Sequence, residues 1–124
     1  MAPRAHKFLI HNAAVDRLAH PARPAPDLSP AQKKHLRGLA HALKPLVRLG
    51  QAGLSEAVVR ETDRALQDHE LVKVKAPGGD RAARDAALAA LAAATGAALV
   101  QQIGNVAVLY RPRPQLPQIL IPDA

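Results

Sequence analysis

The apolar positions of this chain switch repeatedly between helical and strand spacing, and each switch predicts an element. Leu36, Leu39, Ala40 and Leu43 recur at i, i+3, i+4 and i+7, which is one apolar helical face. Ser29 suits the N-cap of that helix, Pro30 its first position, and Gln32 stands where a capping box needs it. A short apolar strand is expected over Leu46 to Leu49, ending at the turn Gly50-Gln51-Ala52-Gly53. A second helix is expected from about Ser55 to Asp68, with Val58, Thr62, Ala65 and Leu66 inward and Arg60 and Arg64 outward. From Leu71 to Ala76 the period falls to two: Val72 and Val74 alternate with Lys73 and Lys75, a strand with one buried and one basic face. Pro77-Gly78-Gly79 is a turn, and Asp80 caps a third helix that turns Leu88, Leu91, Ala92 and Thr95 toward the core and stops at Gly96. Strands over Ala98 to Ile103 and Val106 to Arg111 are joined by Gly104-Asn105, whose leading glycine predicts a type II′ hairpin.

The order α-β-α-β-α-β-β defines an α/β fold. We expect a two-layer sandwich with a four-stranded mixed sheet, built from two right-handed crossovers and a terminal hairpin. Three segments follow. Residues 1–27 form a flexible, Pro-rich extension, 28–113 the folded domain, and 114–124 a Pro-rich tail whose LPQILIP stretch is apolar enough to pack on a surface.

Charge adds a partner to this picture. Lys and Arg outnumber Asp and Glu by 17 to 10 in 124 residues, a formal charge of +7. Such a surplus points to a polyanion, nucleic acid before membrane. One Phe, one Tyr and no Trp leave little for an aromatic stacking platform, so phosphate and sugar contacts must carry the affinity. Nothing approaches a membrane span, and Asp16 in a short apolar patch argues against a signal peptide, so a cytoplasmic protein is expected.

The basic residues gather around the glycine turn. Between Leu28 and Gly53 lie five Lys/Arg and no acidic residue. Lys33, Arg37, His41 and Lys44 make a basic stripe beside the apolar face, with Lys34 and Arg48 close by. Glycines at both turn corners permit positive φ and close approach of a ligand, and a helix starting just after the turn aims free N–H groups toward it. The candidate nucleic-acid-binding residues are therefore Lys33, Lys34, Arg37, His41, Lys44, Arg48, Gly50, Gln51, Ala52, Gly53, Lys73 and Lys75.

Catalytic constellations are missing from the pattern. Ser29 and Ser55 sit where caps are expected, the six histidines have no ligand spacing, and no Lys-Ser/Thr pair follows the turn to make it a Walker A loop. No enzyme, no metal, no cofactor and no small-molecule substrate are expected. Without cysteine there are no disulfides or thiolate metal sites.

The run LSPAQKKHLRGLAHALKPLVRLGQAGLSEAVV, then HELVKVK, then GNVAVLYRP, resembles the CRM domain, and more closely the small bacterial single-domain YhbY family. The resemblance spans Leu28 to about Pro114 with its pieces in order. It implies a fold similar to the C-terminal domain of translation initiation factor three, and RNA binding in association with precursors of the large ribosomal subunit. The family's Gly-x-x-Gly loop falls on Gly50 to Gly53; its middle residues here, Gln51 and Ala52, are uncharged, which moves weight to the surrounding Lys and Arg side chains. The expectation is a monomeric RNA-binding protein of large-subunit assembly. Its alternatives are an intron-splicing or general RNA-chaperone factor, or an adaptor for an acidic protein partner.

Overall fold

The computed structural model describes residues 24–123, so the extension expected over 1–27 lies, up to residue 23, outside the described residues. The elements are α1 (Pro30–Ala40), β1 (Pro45–Arg48), α2 (Glu56–His69), β2 (Leu71–Lys75), α3 (Arg81–Thr95), β3 (Ala98–Ile103) and β4 (Val106–Tyr110). Each helix begins as its capping chemistry predicts. Ser29 Oγ accepts the Gln32 N–H while the Gln32 side chain accepts the Ser29 N–H, and Ser55 and Asp80 cap α2 and α3. Gly96 closes α3 in the left-handed conformation at φ +67°. Gly104 turns the hairpin at φ +59° with Asn105 outside the positive-φ region, as a type II′ turn requires.

The four strands run in the order β1-β2-β4-β3, with β1 parallel to β2 and the other pairs antiparallel. β4 thus inserts between the two strands that α3 connects. Alternation along β2 and β4 splits the core in two. Val72, Val74, Ala107 and Leu109 face α2 and α3, where Leu66, Leu88 and Leu91 are fully buried. Leu71, Val108 and Tyr110 face the other way and meet Leu36 and Ala40 of α1. Each such leucine stabilises the fold by about 1.5–3 kcal/mol on burial. The α/β class, element order and four-stranded mixed sheet are as expected. The two-layer arrangement is corrected to three layers, because α1 has a sheet face of its own.

Two further corrections concern α1. Leu39 and Leu43 are 42% and 37% exposed, not core. Leu36 and Ala40, one turn apart, are enough to seat the helix, and the helix ends before Leu43 is reached. Lys44 therefore lies in the connection to β1 and does not extend a helical stripe.

The tail folds back along α1. The Gln32 side chain donates to the Pro122 carbonyl, and the His35 ring bonds the Leu120 carbonyl. Ile119 and Ile121 pack against the α1 side of the core. The anchor is Glu70, fully buried at the C-cap of α2 with φ +66°. Its carboxylate accepts the N–H groups of Arg113, Gln118 and Ile119, each at 2.7 Å. Three donors on one anion explain why a glutamate is held in a backbone region that favours glycine.

Candidate nucleic-acid interface

β1 is an edge strand, and α1 lies over β2, β4 and β3. The outer part of the α1 face is therefore open. Val47 and Leu49 of β1 point to the opposite face, so Arg48 between them points outward here. Lys73 and Lys75 alternate with Val72, Val74 and Ala76 in the same way and are half-buried on the open face. Arg48 and Lys75 are register partners. Neighbouring strands are about 4.8 Å apart, so two cations stand side by side, and no acidic residue occurs in either strand.

Beyond Arg48 the chain enters the glycine turn. Gly50 and Gly53 form an isolated bridge, closed by Gly53 N–H donating to the Gly50 carbonyl at 3.0 Å. Only Gly53 uses a positive φ, +81°, so the left-handed freedom expected of both glycines is needed at one. A Cβ built on either glycine meets nothing within 4 Å, and Gln51 and Ala52 are exposed at the tip. The pocket beside the turn, about 140 Å³, is floored by Ala76–Gly78, by the cap residue Asp80 and by Ala83 and Arg84 of α3. Arg84, which the sequence places on a remote helix, thus borders the turn, with its Nε donating to Asp85.

At the other end of β1 the register slips: Pro45 pairs with Lys73 and Val47 with Val74, leaving Leu46 as an extra residue. An edge irregularity of this kind re-aims a side chain. Leu46 is 52% exposed and joins Leu39 and Leu43 in an apolar cleft of about 460 Å³. Lys44, His69 and Lys73, with Leu71, Val72 and Ile119 of the tail, complete its wall. Lys73 Nζ donates to the Leu43 carbonyl at 3.0 Å, which holds its charge at the cleft mouth.

The predicted residues therefore separate. Lys44, Arg48, Lys73, Lys75 and Gly50 to Gly53 lie along one track from the leucine cleft to the glycine turn. Lys33 does not join it. It lines a shallow cleft with Leu28, Ala93 and Leu99 on the α3 and β3 side, on the flank of α1 opposite Leu39. Arg37, one turn on, shares that flank. Lys34 and the C-cap residue His41 face solvent. Leu39, Leu43, Leu46 and His69, which line the cleft, were not among the residues the sequence singled out.

Two other arginines are structural. Arg111 is buried and donates to Asp63 and to the Thr95 carbonyl at the end of α3. Arg113 donates to the Gln67 and Asp68 carbonyls at the end of α2. Among the described residues no group of three His, Cys, Asp or Glu side chains could hold a metal ion, and no helix is long and apolar enough to cross a membrane.

The fold has a solved counterpart. The solution structure of the hypothetical protein SAV1595 from Staphylococcus aureus matches with a TM-score of 0.68 and 32% identity, over 77% of this chain and 100% of that one. Residues 28–111 match the CRS1 / YhbY (CRM) domain, and the chain belongs to that family. An RNA-binding protein of Haemophilus influenzae is 51% identical over 85 residues, covering 68% of this chain and 86% of that relative. The Pseudomonas aeruginosa protein named "Probable RNA-binding protein PA4753" is 43% identical over 88 residues, covering 71% and 85%.

Proposed function

We propose that this chain binds RNA through the open half of the α1 face, with Lys44, Arg48, Lys73 and Lys75 on phosphates and Gly50 to Gly53 receiving the backbone at one end. The observation that carries this reading is the Arg48–Lys75 pair on an uncovered face. Like charges directly opposite on neighbouring strands are unfavourable, and an anion between them removes the repulsion. The relatives' names and the surplus of seven positive charges support the same partner. Lys33, Lys34, Arg37 and His41 form a second, peripheral basic surface that a longer RNA reaches.

The RNA is ribosomal, from the precursor of the large subunit, and the protein acts on it as a monomer in the cytoplasm, without catalysis. Membership of the YhbY family supports this finer assignment. Crosslinking RNA to the protein in cells, followed by sequencing, tests it. Reads concentrated in large-subunit rRNA precursor are expected. Reads confined to introns or scattered over messenger RNA would replace the ribosomal assignment with a splicing or chaperone role. Recovery of protein partners insensitive to nuclease would favour an adaptor.

A further inference from the structure

We propose that the leucine cleft formed by Leu39, Leu43 and Leu46 receives an unstacked nucleobase, and that His69 supplies the ring against which it packs. This rests on the RNA-binding reading and adds a base-contacting subsite to it. Three leucines between 37% and 52% exposed meet on one small surface, and lysines rim it, the arrangement that marks an apolar patch as a candidate contact site. The volume of about 460 Å³ falls within the range of about 300–1,000 Å³ common to small-ligand sites.

The wall indicates the occupant. Its charged members, Lys44 and Lys73, are both cationic, so the molecule that fills the cleft is apolar in its body and anionic at its edge. Lys73 spends one of its three N–H donors on the Leu43 carbonyl, which fixes the ammonium at the mouth and leaves two donors for a phosphate. Continuity favours RNA over an acidic peptide. Leu46 and Arg48 lie two residues apart on β1, about 7 Å, so the cleft opens where the basic track begins. A strand with its backbone on Arg48, Lys75 and the glycine turn needs only to turn one base inward.

Aromatic supply points to the same place. Single-stranded RNA is commonly read by stacking unpaired bases on aromatic rings, histidine included. Tyr110 is 1% exposed and cannot serve. His69, at the end of α2, is exposed and lines the cleft.

The test uses the full chain and two twelve-residue oligomers of equal charge, one oligouridylate and one abasic ribose-phosphate chain, by fluorescence anisotropy at fixed salt. Wild type should bind the base-bearing oligomer at least about tenfold more tightly, the order that one stacked base contributes. The double variant L39S/L46S should lose that preference while binding the abasic chain as wild type does. Both leucines are surface positions, and a thermal melt verifies folding. If the double variant fails to fold, H69A alone must reduce the preference.

Equal affinity of wild type for the two oligomers, both salt-dependent, overturns the cleft and leaves the phosphate track standing; it hands the cleft to a protein partner or a second copy of this chain. A preference that survives in folded L39S/L46S overturns it as well. Failure of wild type to bind either oligomer in a salt-dependent way removes the RNA-binding reading itself.

Discussion

Arg48 and Lys75 are register partners on two parallel neighbouring strands, and both point to the half of the sheet that α1 leaves open. In the free protein this pair repels. Replacing Arg48 by Ala is therefore expected to leave stability within about 0.5 kcal/mol of wild type, or to raise it slightly. The same change should weaken RNA binding. A chemical-denaturation curve and a titration of one RNA on the same preparations check the opposite signs. A marked loss of stability would mean that Arg48 serves the fold.

Glu70 gives the next expectation. Its carboxylate holds three backbone N–H groups of the tail, and its burial leaves little water to take over. Glu70→Ala should cost about 3 kcal/mol, from donors left without an acceptor. Removing residues 114–124 should destabilise too, because Ile119 and Ile121 then uncover Leu71 and Tyr110. On this reading the folded unit extends past residue 113 to about Pro122. Equal melting temperatures for the full and shortened chains would restore the boundary expected from sequence.

The roll of α1 is checked by two leucines. Leu36 is fully buried and Leu39 is 42% exposed. Truncating Leu36 to Ala should cost about 2–5 kcal/mol, and Leu39 to Ala under about 1 kcal/mol. Urea midpoints of the two variants decide; equal losses would place Leu39 in the core.

These two features also mark how far sequence could reach. The Ser29/Gln32 capping box, the Gly96 stop, the Gly104-Asn105 hairpin and the Val72/Val74 alternation are local chemistry, and all were legible. Around Leu36, apolar residues flank both sides of the helix, so periodicity alone could not tell which flank meets the sheet. What decides it is tertiary: Leu36 and Ala40 meet Leu71, Val108 and Tyr110, and the tail reaches Gln32 and His35 from 90 and 85 residues away. The basic residues were identified as a set, but their separation by α1 into two surfaces depends on strand order. Glu70 carried no local signal of its role, since nothing near it in sequence shows that the chain returns to it 43 to 49 residues later.

Tyr110 predicts an alkaline limit. Burial, with a smaller contribution from the Glu70 charge, raises its phenol above the ordinary 10.0. The unfolded chain then loses this proton at a lower pH than the folded one. The contribution is fully present below pH 10 and is lost as pH rises through the raised folded value, at no more than about 1.4 kcal/mol per pH unit. Comparing unfolding free energies of wild type and Tyr110→Phe from pH 8 to 11 isolates it. Parallel curves would contradict the burial argument.

The central claim is that RNA is held chiefly by cations on the open sheet face, and the salt dependence of affinity tests it most directly. Lys44, Arg48, Lys73 and Lys75 on four phosphates predict a slope of log K against log salt of about −2.8 to −3.6, at roughly 0.7–0.9 per phosphate. Each single Ala substitution in this set should flatten the slope by somewhat under one unit and weaken unrelated RNAs about equally. Arg60, which pairs with Glu56 on α2, and Arg64 are the controls and should leave it unchanged. A slope near zero, or controls that matter as much as Arg48 and Lys75, would contradict the account.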